Sequence, residues 1–317
     1  MMEPAGLAVI LNPSAGGGAG SRRFAPCAAL LSRAGFHFQV LETRQPGDAR
    51  RLARDLAGGT AAPLIVAAGG DGTVNEVASG ILDHDGSSAI LAVLPLGTGN
   101  DFARSQGASS VEKAVEILVR RQTHRVDAIR FQSQIGGCRC TSFALLFVAV
   151  GFVGDLLRAT SPSVKRMFGR RLSYPVGFLR AWILAVSKPM RLTHDVGSHA
   201  GECLLVCACN SEFAGGHSLR PAPGAVMDDG QLELLIVRPL ARWQIGSQFL
   251  RLMRGTHLAH PGVISVKTTR MHLESTAKPG VQADGDHFGE PPLNLEVRHK
   301  ALTVLWNCGS QLHSFLT

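Results

Sequence analysis

Two glycine-rich turns, each placed directly after an apolar run, constrain this chain more than any other feature. The first glycine turn is Gly69-Gly70-Asp71-Gly72-Thr73, after the run 64–68, and the second is Gly97-Thr98-Gly99-Asn100-Asp101, after the run 90–94. A buried strand that ends in such a turn and continues into a helix presents backbone N–H groups to an anion. Two of these turns predict one shared phosphate-binding crevice, and hence a nucleotide-dependent phosphotransferase.

The chain changes character after Arg125. Before it, strand-like runs at 7–11, 36–41, 64–68 and 90–94 alternate with helical patterns at 22–34, 47–56, 74–82 and 111–119. This alternation is typical of a doubly wound α/β domain with a mostly parallel sheet, whose ligands bind beyond the carboxyl ends of the strands. After it, strand-like runs at 126–132, 141–150, 201–210, 231–237, 263–268 and 301–306 predict a β-rich second domain, which one helical segment at about 172–186 interrupts.

Length and composition favour a soluble two-domain protein. The chain has 317 residues, 45% of them hydrophobic, which is enough to bury a sizeable core. The longest apolar stretch, 143–153, is too short to span a bilayer, and the first residues carry no basic region, so neither a transmembrane helix nor a signal peptide is expected. The seven cysteines show no paired metal-binding spacing, which predicts free thiols in a reducing cytoplasm.

The net charge of +8 favours a polyanionic partner: a nucleotide, a nucleic acid or an acidic membrane surface. No zinc-finger, RRM-like or helix-turn-helix pattern is present, so we do not expect nucleic acid as a partner.

The first glycine turn carries groups suited to phosphate chemistry. Asp71 can hold Mg²⁺, directly or through water, and Thr73 can donate a hydroxyl hydrogen bond. Asn75 and Glu76 open the following helix, where Glu76 can anchor the loop. Because the run 16–20 is followed by serine and arginine instead of a Walker A lysine, phosphate must be held by backbone, hydroxyls and metal. An ordinary strand–turn–helix connection explains this turn equally well when it is taken alone; the second glycine turn favours the functional interpretation.

Several segments together match a known family in their order along the chain. These are Asn12-Pro13-Ser14-Ala15-Gly16, Gly69 to Glu76, Pro95 to Arg104, Pro221-Ala222, Asp229 to Glu233, and Asp284-Gly285-Asp286. On these residues the chain resembles the diacylglycerol/sphingosine/ceramide lipid kinase family in its bacterial single-chain form.

The resemblance implies an α/β nucleotide-binding domain at 1–125 and a β-sandwich-like lipid-substrate domain at 126–306, with ATP in the cleft between them. It also implies a tail at 307–317 that can pack back on the first domain. Thr43 merely ends a strand, and on the sequence alone it is as well explained as a solvated turn threonine. The implied nucleotide contacts are Asn12, Thr43, Gly69, Gly70, Asp71, Gly72, Thr73, Val74, Asn75, Glu76 and Thr98.

The resemblance also implies a structural Mg²⁺ site. Its ligands are the carboxylate of Asp229 and the backbone carbonyls of Val226 and Gln231. Without the resemblance, the residues themselves favour a plain Asp-Gly hairpin turn before the strand 231–237.

The segment Asp284-Gly285-Asp286, here called the acidic turn, is the candidate catalytic turn. Family members usually read Asp-Gly-Glu, so the carboxylate of Asp286 reaches about one methylene less far than the usual glutamate. Either Asp284 or Asp286 can accept the proton of an attacking lipid hydroxyl, while Asp71 and Mg²⁺ steady the β- and γ-phosphates. A charged surface hairpin is the alternative interpretation.

A basic, partly apolar segment offers a way to reach a lipid. Lys165, Arg166, Arg170 and Arg171 lie among the apolar residues of 164–172, a combination that can dock peripherally on anionic headgroups. A surface helix packed on the second domain explains the segment equally well. His217, in a glycine-rich loop, is interpreted as an ordinary hydrogen-bonded polar residue and is left out of the site.

The sequence therefore predicts a cytoplasmic, peripherally membrane-associated, ATP- and Mg²⁺-dependent kinase that acts on a lipid hydroxyl. A diacylglycerol-like acceptor comes first and a sphingoid or ceramide acceptor second. One alternative is an NAD kinase-like phosphotransferase, whose Gly-Ser-Thr-Ala-Tyr motif is absent here. The other is a non-catalytic regulator that binds lipid or nucleotide. The sequence leaves the oligomeric state open, a homodimer included.

Overall fold

The computed structural model describes residues 7–59, 63–152 and 185–307. The chain forms two compact units. Unit 1 comprises the chain as far as Ala128, the short segment Gly215–His217, and the chain from His299 onward. Unit 2 comprises Ile129–Ala214 and Ser218–Arg298.

Unit 1 is built on a parallel sheet with the strand order β2-β1-β3-β4. The end of the last strand of the chain joins it, because residues 303–304 pair in parallel with residues 90–91 of β4. The elements are β1 (Leu7–Leu11), α1 (Ala15–Gly18), α2 (Gly20–Arg33), β2 (Phe38–Glu42), α3 (Asp48–Ala57), β3 (Leu64–Gly69), α4 (Asp71–Leu82), β4 (Ile90–Pro95), α5 (Asp101–Ser105) and α6 (Val111–Arg120).

Continuous apolar runs explain why these strands lie inside unit 1. Every residue of β1 and β3 is buried, as expected for parallel strands that are covered on both faces. In helix α3 the buried residues are Ala49, Ala53 and Ala57. Gly80 of α4 lets the two helices approach closely, since a Cβ there would overlap the carbonyl of Arg50.

Unit 2 consists mainly of antiparallel sheet. One sheet has the order β12-β11-β10-β7-β14-β15; in the other, β16, β13, β8 and β9 are neighbours in that order, and β5 pairs with β6. The elements are β5 (Thr123–Ile135), β6 (Cys138–Ala144), β7 (Phe147–Gly151), β8 (Lys188–His194), β9 (Gly197–Cys203), β10 (Leu205–Cys209), β11 (Leu232–Val237), α7 (Arg242–Arg254), a 3₁₀ turn (His257–Ala259), β12 (Val263–Thr268), β13 (Arg270–Glu274), β14 (Val281–Ala283), β15 (Asp286–His287) and β16 (Glu290–Leu305).

The core of unit 2 lies where the two sheets face each other. Alternate residues of the first sheet pack against apolar residues of the second, which is the pattern of a β-sandwich. The buried cluster includes Phe131, Val148, Val150, Leu192, Val206, Ala208, Leu234, Ile236, Leu273, Leu293 and Leu295.

The predicted fold class, an α/β nucleotide-binding domain followed by a β-sandwich-like domain, is confirmed. Several details differ. The run 141–150 forms two strands with a break at Leu145–Leu146, and the run 201–210 breaks at Leu204. The helices α1, α5 and α7 and the strands β8, β13, β14 and β15 were not predicted. The units also differ from the division 1–125 and 126–306, because residues 215–217 and 299–306 group with unit 1.

The described part of the chain contains no membrane-spanning helix and no disulfide bond. None of its helices is long and apolar enough to cross a bilayer. Its six cysteines are free, and four of them, Cys27, Cys203, Cys207 and Cys209, are buried.

Candidate active site

The carboxyl ends of four strands bring the predicted nucleotide contacts of unit 1 to one edge of its sheet. The Thr43 amide, after β2, donates to the last carbonyl of β1 at 2.9 Å, and the Asn12 amide, after β1, donates to the Ala68 carbonyl at 3.0 Å. The Gly97 amide, after β4, donates to the Gly69 carbonyl at 3.1 Å. Because these bonds continue the strand ladder into the loops, the four loops form one cluster.

The two glycine turns pack against each other so closely that side chains are excluded. A Cβ on Gly97 would overlap the Cα of Gly70, and a Cβ on Gly99 would lie 2.8 Å from Oδ2 of Asp71. Oδ1 of Asp71 accepts a hydrogen bond from the Phe102 amide at 3.2 Å, which ties the first turn to the start of α5. The expectation that these turns meet therefore holds within unit 1.

A side-chain bridge joins the loop after β1 to the first glycine turn. Asn12 Nδ2 donates to Thr73 Oγ1 at 3.0 Å, and Asn12 Oδ1 accepts from the Ser14 amide at 2.9 Å. Thr73 and Asn75 are buried at the start of α4. Thr73 Oγ1 is the acceptor in this bond, so the hydroxyl proton of Thr73 can still be donated to another group. The first amides of α4 have no partner within the helix and point out of its N-terminus.

Other predicted contacts have structural partners of their own. The carboxylate of Glu76 accepts hydrogen bonds from the amides of Gly47 at 3.0 Å and Ala49 at 3.2 Å, so it anchors the start of α3. The side chain of Val74 is buried in the core, and Thr98 is exposed in the second glycine turn. Which of these residues contact a nucleotide stays a prediction.

Asp101 and His217 form a polar pair in unit 1 that the sequence analysis left out of the site. The His217 amide donates to Asp101 Oδ1 at 2.7 Å, and His217 Nδ1 lies 3.4 Å from the same oxygen. Burial alone would raise the pKa of Asp101, but the hydrogen bonds from the His217 side chain and from the Gly216 and His217 amides outweigh it and hold that pKa below its usual value. Asp101 is therefore a carboxylate that keeps the 215–217 segment beside the second glycine turn.

Arg23 of α2 also shapes the second glycine turn. Its Nη1 donates to the carbonyls of Leu96 at 2.9 Å and Gly97 at 3.2 Å. Nothing in the sequence distinguishes this arginine from its neighbour Arg22, so its role is visible only in the structure.

In unit 2, Asp284 is a buried carboxylate surrounded by backbone amides. Oδ2 accepts from the Leu145 amide at 2.7 Å, and Oδ1 accepts from the Leu146 and Phe147 amides, each at 2.9 Å. Leu145 and Leu146 form the break between β6 and β7, and Phe147 is the first residue of β7. Asp284 is 7% exposed. It therefore holds the acidic turn on the end of β7.

The acidic turn is a two-residue hairpin turn. Asp284 and Gly285 both have positive φ, 48° and 98°, and Ala283 pairs with Asp286 across the turn. Such values at both central positions define a type I′ turn, for which Asp-Gly is a preferred pair. Asp286 is exposed at the start of β15. The turn thus buries one carboxylate as an anchor and presents the other on the surface.

The predicted metal ligands lie in the turn before β11. Asp229 Oδ1 accepts from the Gln231 amide at 3.0 Å, and Oδ2 lies 3.2 Å from the ammonium of Lys267 on β12. The hydrogen bond to Asp229 raises the pKa of Lys267. Val226 is exposed. A metal ion bound here would compete with a lysine for Asp229, and the described residues contain no cluster of three histidine, cysteine or acidic side chains suited to a metal.

An apolar cavity of about 210 Å³ lies between the outer face of the first sheet of unit 2 and helix α7. The strands contribute alternate residues such as Ala149, Leu205, Cys207, Leu235 and Val237, and α7 contributes Ile245, Gln248, Phe249 and Leu252. Phe147 belongs to both features of unit 2: its side chain lines the cavity and its amide donates to Asp284.

Two polar side chains also line this cavity. His257 Nε2 donates to the Pro221 carbonyl at 3.0 Å, which leaves Nδ1 as an acceptor. Burial lowers the pKa of His257 and so favours its neutral imidazole. Among the described residues, neither His257 Nδ1 nor Gln248 Oε1 has a hydrogen-bond partner.

The predicted membrane-docking segment with Lys165, Arg166, Arg170 and Arg171 lies outside the residues that the structure describes. The same is true of residues 172–184 of the helix predicted at about 172–186, and of most of the predicted tail, 308–317. Residues 185–186 are described and are not helical.

Comparison with known proteins identifies the family to which the chain is similar. Residues 6–131 match the model of the diacylglycerol kinase catalytic domain, and residues 150–306 match that of the YegS C-terminal NAD kinase beta sandwich-like domain. A diacylglycerol kinase of Staphylococcus carnosus is 28% identical over 294 residues, which cover 90% of each chain. A diacylglycerol kinase of Staphylococcus haemolyticus is 29% identical over 295 residues, which cover 90% of this chain and 84% of the relative.

The chain belongs to the bacterial single-chain lipid kinase family. It is accordingly an enzyme, an ATP-dependent lipid kinase, as the motifs predicted.

Two solved structures place this lipid kinase among known folds. A diacylglycerol kinase structure from Bacillus anthracis str. Sterne superposes with a TM-score of 0.70 and 22% identity, covering 98% of this chain and 99% of that one. Yeast NADH kinase in complex with NADH gives a TM-score of 0.51 with 8% identity, covering 99% of this chain and 87% of that one. At these identities the likeness concerns the fold alone.

Proposed function

We propose that this lipid kinase transfers the γ-phosphate of ATP, with Mg²⁺, to the hydroxyl of a diacylglycerol-like lipid. The observation that carries the proposal is the double role of Phe147, which links the acidic turn to an apolar cavity in the same unit. An acceptor molecule that contacts both the acidic turn and the cavity must carry a hydroxyl group and an apolar chain.

The loop cluster of unit 1 holds the triphosphate. At Gly97 and Gly99 the space that a Cβ would need is filled by atoms of the two glycine turns, so glycine at these positions lets the turns pack together at the edge of the sheet. The N-terminus of α4 adds its outward-pointing amides and the positive end of its dipole. This set of backbone donors fits a phosphate chain, and phosphoryl transfer needs such positioning and charge neutralisation more than covalent help.

Mg²⁺ is assigned to Asp71. Hard carboxylate oxygens, together with phosphate oxygens, are ligands that Mg²⁺ prefers. When bound, the ion neutralises charge on the β- and γ-phosphates. Asp71 is tied to the start of α5 by its bond from the Phe102 amide, so its side chain is already held in one position.

Asp286 accepts the proton. When the lipid hydroxyl oxygen attacks the γ-phosphorus and ADP departs, the hydroxyl proton must pass to a base. The carboxylate of Asp284 already accepts three backbone amides and is buried, whereas Asp286 is exposed. We therefore assign Asp286 as the general base and Asp284 as the residue that positions it.

The cavity of unit 2 receives an apolar chain of the lipid. Its volume of about 210 Å³ exceeds the roughly 150 Å³ of an engineered apolar cavity that binds benzene. The acceptors His257 Nδ1 and Gln248 Oε1 leave room for a donor on the bound molecule, such as a second hydroxyl or the amide N–H of a ceramide. This keeps a ceramide-type acceptor as the second choice.

The structural Mg²⁺ ligands Val226, Asp229 and Gln231 do not fit a metal well, because the Lys267 ammonium already balances the carboxylate of Asp229. No step of the proposed reaction depends on that site.

The test is transfer of label from [γ-³²P]ATP to diacylglycerol, ceramide and NAD⁺ offered in parallel. We expect phosphorylated diacylglycerol as the main product and none from Asp71→Ala. Phosphorylation of NAD⁺ alone, or ATP binding without turnover on any acceptor, would contradict the proposal.

A further inference from the structure

Helix α7 has two apolar faces, and the described residues cover one of them. Ile245, Phe249 and Leu252 face the cavity of unit 2. On the opposite side, Trp243 is 73% exposed and Leu250 is 57% exposed. With Met253, which is 45% exposed, these residues form what we call the outer face of α7.

The positions on the helix make the outer face continuous. At about 100° per residue, Trp243 and Leu250 are separated by roughly 20°, and Met253 lies about 60° further round. Large apolar side chains exposed as a group, and not scattered singly, mark a surface that binds something. The outer face is therefore an interaction surface.

The charges on α7 indicate the kind of partner. Arg242, Arg251 and Arg254 lie on the same helix, and the segment 242–254 contains no acidic residue. Arg254 projects within about 20° of Trp243 and on the other side from Leu250. Arginine beside exposed tryptophan and leucine suits the headgroup region of an anionic bilayer, where tryptophan is enriched and each basic side chain is attracted to anionic lipid.

We propose that helix α7 lies in the plane of an anionic membrane surface, with its outer face among the headgroups and its inner face over the cavity that receives the lipid chain. A helix with this division between its two sides binds at an interface without spanning the bilayer. The proposal rests on the proposed function for its lipid substrate, and it assigns docking to residues distinct from the segment 164–172.

The test is cosedimentation of the full chain with phosphatidylcholine vesicles, with and without phosphatidylglycerol, in the absence of ATP. We expect binding only to the anionic vesicles. Combining Trp243→Ser, Leu250→Ser and Met253→Ser should lower that binding at least tenfold. Val196→Ser is the matched control, because Val196 is 69% exposed in the turn between β8 and β9.

A second pair of variants separates charge from apolar contact. Arg251→Gln with Arg254→Gln should weaken binding to anionic vesicles by roughly fivefold for each arginine, and the loss should shrink at high salt. Arg139→Gln, at another exposed arginine of unit 2, should leave binding unchanged.

The fluorescence of Trp243 gives a readout that needs no disruptive substitution. Brominated lipids should quench part of the tryptophan emission of the wild-type chain, and that part should be missing in Trp243→Phe. If the triple variant fails to fold, this measurement decides.

The outcomes distinguish this inference from the proposed function. Equal vesicle binding by the triple variant and the wild type, or quenching unchanged by Trp243→Phe, would overturn the docking role. So would a triple variant that changes only the oligomeric state in sedimentation velocity, because the outer face would then join two copies of the chain. If no lipid is phosphorylated but the binding results hold, the docking role stands and the acceptor is wrong.

Discussion

The two carboxylates of the acidic turn should fail in different ways when each is changed to the amide. In Asp284→Asn, the amide oxygen can still accept from Leu146 and Phe147, but its NH₂ group would face the Leu145 amide across the present 2.7 Å. One hydrogen bond to a charged group is lost and two donors are left opposed in a buried site, which together cost about 2–4 kcal/mol.

That cost should be visible as lower thermal stability. For domains of 150–250 residues, 1 kcal/mol corresponds to roughly 2–4 °C in Tm, so we expect Asp284→Asn to melt about 4–16 °C lower than wild type. Activity should fall as well, because the acidic turn is no longer held on β7. Asp286→Asn changes an exposed side chain, so its free energy of unfolding should stay within about 0.5 kcal/mol of wild type and its Tm should hardly change.

The activity assay completes the comparison. Losing a general base costs about 10²–10⁴ in rate, so Asp286→Asn should show that loss in kcat at unchanged Tm, and Asp286→Glu should remain active. A wild-type melting temperature for Asp284→Asn would refute the anchoring argument. Full activity in Asp286→Asn would refute its assignment as the base.

Three further predictions concern other parts of the molecule. A methyl group at Gly97 would overlap the backbone of the first glycine turn, so Gly97→Ala should raise the KM for ATP in steady-state assays, whereas Gly59→Ala, where a Cβ has ordinary contacts, should not. Lys267→Met should free the carboxylate of Asp229, so added Mg²⁺ should raise the Tm of the variant more than that of wild type; equal shifts would argue against competition. Burial lowers the pKa of His257 in the folded protein, so below about pH 6.5 the unfolded chain binds more protons than the folded one. The free energy of unfolding therefore declines as the pH falls through that range. Denaturant titrations from pH 7.5 to 5 should show a weaker decline in His257→Leu.

Local features of the sequence were sufficient to predict that the two glycine turns of unit 1 meet. Each glycine turn directly follows its own strand, and parallel strands end at a common edge, so chain order alone predicts that the turns meet. The residues that refine the cluster were harder to predict. Arg23 and the pair of Asp101 with His217 act through contacts between distant parts of the chain, and no local pattern marks them.

In unit 2 the hydrophobic periodicity of the sequence was insufficient to predict the strand breaks and helix α7. The run 141–150 is apolar from Phe143 onward, so its pattern does not mark the break at Leu145–Leu146. The amides at this break donate to Asp284, which lies 138 residues beyond Leu146. Helix α7 escaped detection because apolar residues occur on both of its sides, which obscures the single stripe expected of a surface helix. The cavity is formed by strands from separate parts of the chain, so no single segment contains its outline.

The way the chain is shared between the two units limits how this kinase can be divided. Neither unit is one uninterrupted stretch, since residues 215–217 and those from 299 onward return to unit 1. A fragment ending at residue 128 would lack the strand beside β4 and the histidine that faces Asp101. It would carry an uncovered sheet edge at the start of β4, where residues 90–91 now pair with residues 303–304. The two units are thus not separable by a single cut in the chain, and grafting either one onto a relative would require joining segments that are distant in sequence.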